Sequence, residues 1–219
     1  MEQGYFITGT DTNAGKTWAT IALMRYFKQQ GKTVVGMKPV ASGCSMQDGQ
    51  LKNEDALLIQ ENASFKIDYD LINPYAYELP VSPHIAGINN PVNLGTVIES
   101  FNTLKALAEI VLVEGAGGWY APLNDHEDNS DLAKALALPV IIVVAIKLGC
   151  INHAKLTWQA IQHSGIPCAG WIAVCVDPDM LKPDENIDTI KTALSVPLLG
   201  VLPYLASADF DLLAGQLSL

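Results

Sequence analysis

Gly15-Lys16-Thr17 is the first stretch of this chain able to do chemistry. It ends the run Gly9-Thr10-Asp11-Thr12-Asn13-Ala14-Gly15-Lys16-Thr17, which follows an apolar Tyr5-Phe6-Ile7 and opens into a helical pattern at Trp18-Ala19-Thr20-Ile21. A strand, a glycine-containing turn and a helix start make a phosphate cradle. Backbone N–H groups converge there, and the helix dipole favours negative charge. In such a loop the lysine, Lys16, reaches the β- and γ-phosphates, and the hydroxyl of Thr17 ligates Mg²⁺. The backbone and side chains of Asn13, Ala14, Gly15, Lys16, Thr17 and Trp18 are therefore the expected nucleotide contacts. One detail departs from the usual spacing. The glycine expected five positions before Gly15 is Thr10, and the glycine present is Gly9.

Further polar residues stand where a buried sheet has no structural need of them. Lys38 ends one apolar run and Glu114 ends another, Ile110-Val111-Leu112-Val113. A carboxylate closing four apolar residues needs a partner. Asp55 follows a helix cap at Asn53 and could add a second carboxylate. Mg²⁺ prefers hard oxygens and keeps several waters, so Thr17, Asp55 and Glu114 form a sensible ligand set beside phosphate oxygens. Gly115 and Ala116, also expected nucleotide contacts, lead into Gly117-Gly118, which fits either a plain tight turn or a close approach of backbone to the nucleotide. Lys38 taken alone could as readily snorkel from its strand end as act in catalysis.

The elements that must position these groups alternate. Helical stretches at 16–30, 53–61, 94–108, 151–163 and 185–194 separate apolar strands at 33–38, 110–114, 140–146, 169–176 and 197–202. Gly31 suits the C-cap of the first helix. Pro39 stops the second strand. Residues 41–52 read as a polar loop with a turn at Asp48-Gly49, and 63–91 as mostly irregular with a short helix near 84–88. Ser130 is expected to cap a helix running to Leu136. Strands without polar alternation, separated by helices, indicate a mainly parallel α/β sheet with helices on both faces. In such sheets the ligand sits beyond the carboxyl ends of the strands. A single P-loop NTPase-like domain over 1–219 is the expectation.

Composition narrows the partners. The chain has 219 residues, 49% of them hydrophobic, and a net charge of −10, which weighs against nucleic acid. Among its 13 basic residues Arg25 alone is arginine, so anions must be met by lysines, hydroxyls and backbone amides. Cys44, Cys150, Cys168 and Cys175 show no metal-binding or paired spacing. The longest apolar run, 140–146, is far shorter than a membrane span. A reducing, cytoplasmic setting without membrane contact is expected.

Several blocks together resemble the dethiobiotin synthetases. These are the phosphate loop, Lys38-Pro39-Val40-Ala41-Ser42-Gly43, Asn53-Glu54-Asp55-Ala56, Asn73-Pro74-Tyr75, Ser82-Pro83-His84, Val113-Glu114-Gly115-Ala116-Gly117-Gly118 and Lys147-Leu148-Gly149-Cys150-Ile151-Asn152-His153. The resemblance implies a homodimeric ligase that uses ATP and Mg²⁺ to close a ureido ring from 7,8-diaminononanoate and CO₂, through a carbamate and a carbamic-phosphoric anhydride. It further implies that Lys16 and Lys38 converge on carbamate and triphosphate from adjacent strand ends, as the two catalytic ammoniums, and that Thr12 and Ser42 contact the diamine and carbamate. Gly149, Cys150, Ile151 and Asn152 of the other subunit would hold the substrate's distant carboxylate at a helix N-terminus.

One position departs from that family. The asparagine that reads adenine is replaced by Val174, followed by Cys175, and neither offers adenine a paired donor and acceptor. Weaker discrimination among triphosphates is expected, or reading of the base by backbone near 176–178 or at Pro203, Tyr204 and Leu205. Partition- and nitrogenase-type ATPases carry a signature lysine where this chain has Asp11. Cobyrinate-type amide ligases add a glutaminase domain, for which the length leaves no room.

Overall fold

A computed structural model describes residues 4–219. Its elements in chain order are β1 (Gly4–Gly9), α1 (Lys16–Gln29), β2 (Val34–Met37), β3 (Val40–Ser42), β4 (Ser45–Gln47), β5 (Gln50–Lys52), α2 (Glu54–Glu61), α3 (Tyr69–Ile72), β6 (Tyr75–Tyr77), α4 (Pro83–Ala86), α5 (Leu94–Leu107), β7 (Ile110–Gly118), α6 (Asn129–Leu136), β8 (Val140–Ile146), α7 (Cys150–Ser164), β9 (Cys168–Cys175), α8 (Pro183–Ala193), β10 (Leu198–Leu202) and α9 (Phe210–Ala214).

Six strands form the main sheet in the order β10-β9-β8-β1-β7-β2, and every neighbouring pair is parallel. Successive strand residues point to opposite faces. All seven residues of β8 are buried, so helices must cover the sheet on both sides. Around it α1 packs with α2 and α9, α5 with α6, and α7 with α8. The last residues run antiparallel beside β10, with Gly200 bridged to Leu217 and the Ser218 N–H donating to Leu199 O at 2.8 Å.

Several local expectations need correction. Strand β7 lies between β1 and β2, so Lys16 and Lys38 do not arrive from adjacent strand ends. The polar stretch 41–52 holds short strands. β3 pairs with β6, and β4 turns back on β5 through Asp48 and Gly49, both left-handed at φ 51° and 81°. Ser130 is not the cap of α6. Asp128 is, accepting from the N–H groups of Ser130 and Asp131, while Asp131 Oδ2 accepts from Asp128 N–H in return. The carboxylate two residues earlier outcompeted the hydroxyl because it closes a reciprocal capping box. The Asn53 cap of α2 does form, accepting from Ala56 N–H at 3.2 Å.

Candidate active site

The phosphate loop joins the carboxyl end of β1 to α1, and its shape comes from two left-handed residues, Asn13 at φ 58° and Gly15 at φ 86°. Asparagine is among the few side chains that tolerate that region. A Cβ on Gly9 would lie 2.9 Å from Asp11 O and 3.1 Å from Lys16 Cδ. The displaced glycine is thus the one over which the Lys16 stem lies. Lys16 Nζ donates to Asp11 O at 3.0 Å. Burial lowers its pKa from the ordinary lysine value to about 8, and Glu114 pulls in the opposite direction.

Lys38 and Glu114 meet because of sheet register. Met37 of β2 pairs with Val113 of β7, so the next residue on each strand falls side by side. Lys38 Nζ donates to Glu114 Oε1 at 2.6 Å and to Asp55 Oδ2 at 2.9 Å. Burial opposes the charge on Lys38, but Glu114 and Asp55 outweigh it and raise the pKa. Thr17 Oγ1 donates to the same Glu114 Oε1 at 3.0 Å. Glu114 is fully buried, and its Oε2 has no hydrogen-bond partner among the described residues.

That orphaned oxygen bears on a metal. A buried carboxylate oxygen is costly unless something answers it. Asp55 and Glu114 share the Lys38 ammonium, Thr17 bonds to Glu114, and all three offer hard oxygens, which fits Mg²⁺. Among the described residues no group of three His, Cys, Asp or Glu forms a self-sufficient cation site. Phosphate oxygens and water would have to complete the shell.

A cavity of about 610 Å³ collects most of the expected residues. Thr12, Asn13, Gly15, Lys16, Thr17, Trp18, Lys38, Ser42, Asp55, Glu114, Ala116 and Gly117 line it. Ser42 Oγ is buried there without a partner among the described residues. Ala14 is fully buried, and Gly115 faces Phe6 and Asn129 instead. Pro203, Tyr204 and Leu205 do not line this cavity. Neither do Gly149, Cys150, Ile151 and Asn152. Of these, Gly149, Ile151 and Asn152 border a second cavity of about 500 Å³ with Leu148, Lys155 and Asn186. The Cys150 side chain is buried, its Sγ 3.8 Å from Asn186 Oδ1, and its backbone N–H already donates to Lys147 O at 3.0 Å.

Residue types alone did not show what holds Lys38. Its N–H donates to Ile72 O, and its carbonyl accepts from Asn73 Nδ2 at 2.7 Å. Tyr69 O–H donates to Asn73 Oδ1 at 2.9 Å and accepts from Asn53 N–H at 2.8 Å. Asn129 Nδ2 likewise donates to the carbonyls of Ala116 and Gly118, pinning the turn after Glu114. Pro80, Val81, Ser82 and Pro83 also wall the cavity. Leu79-Pro80 and Ser82-Pro83 were the visible signal.

A family profile described as an AAA domain matches residues 3–210. ATP-dependent dethiobiotin synthetase BioD of Aromatoleum aromaticum is 43% identical, over 99% of this chain and 97% of that one. The protein of the same description from Nitrosospira multiformis is 48% identical, over 93% of this chain and 89% of its own. This chain belongs to the dethiobiotin synthetase family. It is accordingly an enzyme, a ligase.

Solved structures add the fold alone. The septum site-determining protein MinD of Pyrococcus horikoshii, complexed with Mg-ADP, superposes with a TM-score of 0.60 at 16% identity, covering 93% of this chain and 82% of that one. A ParA family ATPase of Chlorobium tepidum gives 0.58 at 15% identity, covering 99% and 91%. These proteins share the architecture of this chain, and the likeness extends to the fold alone.

Proposed function

We propose that this chain is a single-domain, ATP-dependent dethiobiotin synthetase that uses Mg²⁺ to join CO₂ to 7,8-diaminononanoate and close the ureido ring, releasing ADP and phosphate. The observation that carries this reading is the meeting of Lys16, Lys38 and the partnerless Ser42 hydroxyl on one cavity.

Each group has a task in that chemistry. One amine of the substrate takes up CO₂ to give a carbamate, whose charge would be met by Lys38 and the Ser42 hydroxyl, with Thr12 beside the diamine. The carbamate oxygen then attacks the γ-phosphorus, and ADP leaves. Lys16 and the loop amides from Asn13 to Trp18 stabilise charge on the phosphate oxygens as it develops. The second amine attacks the carbamic-phosphoric anhydride and displaces phosphate, closing the ring. Thr17, Asp55 and Glu114 would hold Mg²⁺, which would supply further neutralisation of phosphate charge. Ala116 and Gly117 bring backbone against the phosphates. Gly115 supports that turn from beneath.

The substrate's far carboxylate requires a second copy. Within one chain the start of α7 opens on the second cavity, away from Lys38. A homodimer in which Gly149, Cys150, Ile151 and Asn152 of the partner cap the site supplies the missing anion-binding amides. No described helix is long and apolar enough to cross a membrane. Work in the cytoplasm, without nucleic acid, agrees with the net charge of −10.

Phosphate release with Mg-ATP and bicarbonate, with and without 7,8-diaminononanoate, tests the proposal. Strong diamine dependence that disappears in Lys38→Ala is expected. Hydrolysis indifferent to both the diamine and the substitution would remove the reading.

A further inference from the structure

The cavity gives a bound triphosphate a direction. Its γ end belongs beside Lys38 and Glu114, on the β7–β2 side of the phosphate loop. The nucleoside must then leave across the first turn of α1 toward the ends of β9 and β10, on the other side of β1. On that route stands Trp18, immediately after Thr17, half-buried and lining the cavity. Its ring is braced edge-on by Phe210, the first residue of α9, with centroids 5.9 Å apart and planes at 77°. An edge-to-face brace holds a ring still while leaving a face for another π-system.

The neighbouring strand ends, Val174-Cys175-Val176 and Pro203-Tyr204-Leu205, carry no side chain with an amide-like donor and acceptor pair. Val174 is buried in β9, where a Cβ on Gly15 would lie 2.7 Å from its Cγ1. Its side chain supports the phosphate loop and cannot reach a base edge. We infer that Trp18 is the stacking surface for the nucleotide's base, so that this enzyme recognises a base by its face rather than by its edge. The inference rests on the proposed nucleotide site and names how that site selects its ligand. Every base has a π-face, so such a platform tolerates different bases and favours the larger purines.

Calorimetric titration without diamine tests this, using ATP, GTP, CTP and inorganic tripolyphosphate against wild type, Trp18→Leu and Trp18→Phe. Leucine keeps an apolar contact with Phe210 and removes the aromatic face. Trp18→Leu should weaken ATP and GTP about tenfold, weaken CTP less, and change tripolyphosphate by no more than about twofold. Trp18→Phe should recover most of the loss. In wild type, tryptophan emission should fall with ATP but not with tripolyphosphate, and Trp18→Phe should abolish that response. Unchanged ATP affinity in Trp18→Leu would overturn the inference, as would a parallel loss of tripolyphosphate, which marks damage to the phosphate loop. Diamine-dependent turnover does not enter these titrations, so the synthetase reading stands or falls separately.

Discussion

Lys38 Nζ and Glu114 Oε1 lie 2.6 Å apart on neighbouring strands, inside a site where Glu114 has no exposure to water. Removing one member of a buried ion pair strands the other. Lys38→Met should therefore destabilise the fold by about 3–5 kcal/mol. The double variant Lys38→Met/Glu114→Gln should recover much of that while remaining without turnover. Chemical denaturation midpoints of the singles and the double form the cycle that checks it. A loss in the double equal to the sum of the two single losses would show that the pair is not coupled.

Lys16 sets a pH limit on nucleotide binding. In the free enzyme its pKa is lowered to about 8, so the ammonium that meets phosphate is present below that pH and lost above it. Affinity should be flat at lower pH and weaken as pH rises, approaching about tenfold per unit well above pH 8. Bound phosphate favours the charged form, so binding near pH 9 should take up nearly one proton. Titrations in buffers of different ionisation enthalpy measure that uptake. An affinity independent of pH between 7 and 9.5 would refute the assignment.

Base selectivity should be shallow. Val174 is turned into the packing under Gly15, and Cys175 at the end of β9 offers no amide-like pair. ATP should not exceed CTP and GTP by a hundredfold in kcat/KM. Steady-state kinetics with the three triphosphates decides this.

The separation of the two cavities predicts complementation between subunits. Lys38→Ala damages the phosphate-loop side, and Asn152→Asp places negative charge where the substrate carboxylate should bind. Each variant alone should be nearly inactive. Mixed and re-equilibrated, they should regain about a quarter of wild-type activity, because half the dimers are mixed and each mixed dimer keeps one intact composite site. No recovery on mixing would place both damaged sites in one chain.

The parts of the fold legible from sequence were those with strong periodic signals. The strand 140–146 coincides with β8 because seven consecutive apolar residues between a proline and a lysine leave little choice. The phosphate loop was readable from residue types despite the shifted glycine. Pairing order was not. Nothing in Thr33 to Lys38 reveals that β7 inserts between β2 and β1. The short strands β3 and β6 escaped notice because three residues carry too little pattern, and their pairing is decided by partners 35 residues apart, Val40 with Tyr75. Lys38 and Glu114 were visible as polar residues out of place at strand ends, and Asp55 as a carboxylate in the first turn of a helix. That one ammonium bridges both carboxylates required the register of Met37 with Val113.

The bridge between Gly200 and Leu217 bears on how copies of this protein meet. A sheet built from parallel strands ends in a strand whose outer amides and carbonyls are open, and any extended peptide can dock there. Here the chain's own tail takes part of that place beside β10, with Ser218 bonded to Leu199. Self-association by strand addition is thereby blunted at this border. The proposed dimer would pair instead through side-chain surfaces such as the start of α7, beside which Leu148 is 94% exposed. A chain shortened before Leu217 would leave the outer edge of β10 open to strand addition.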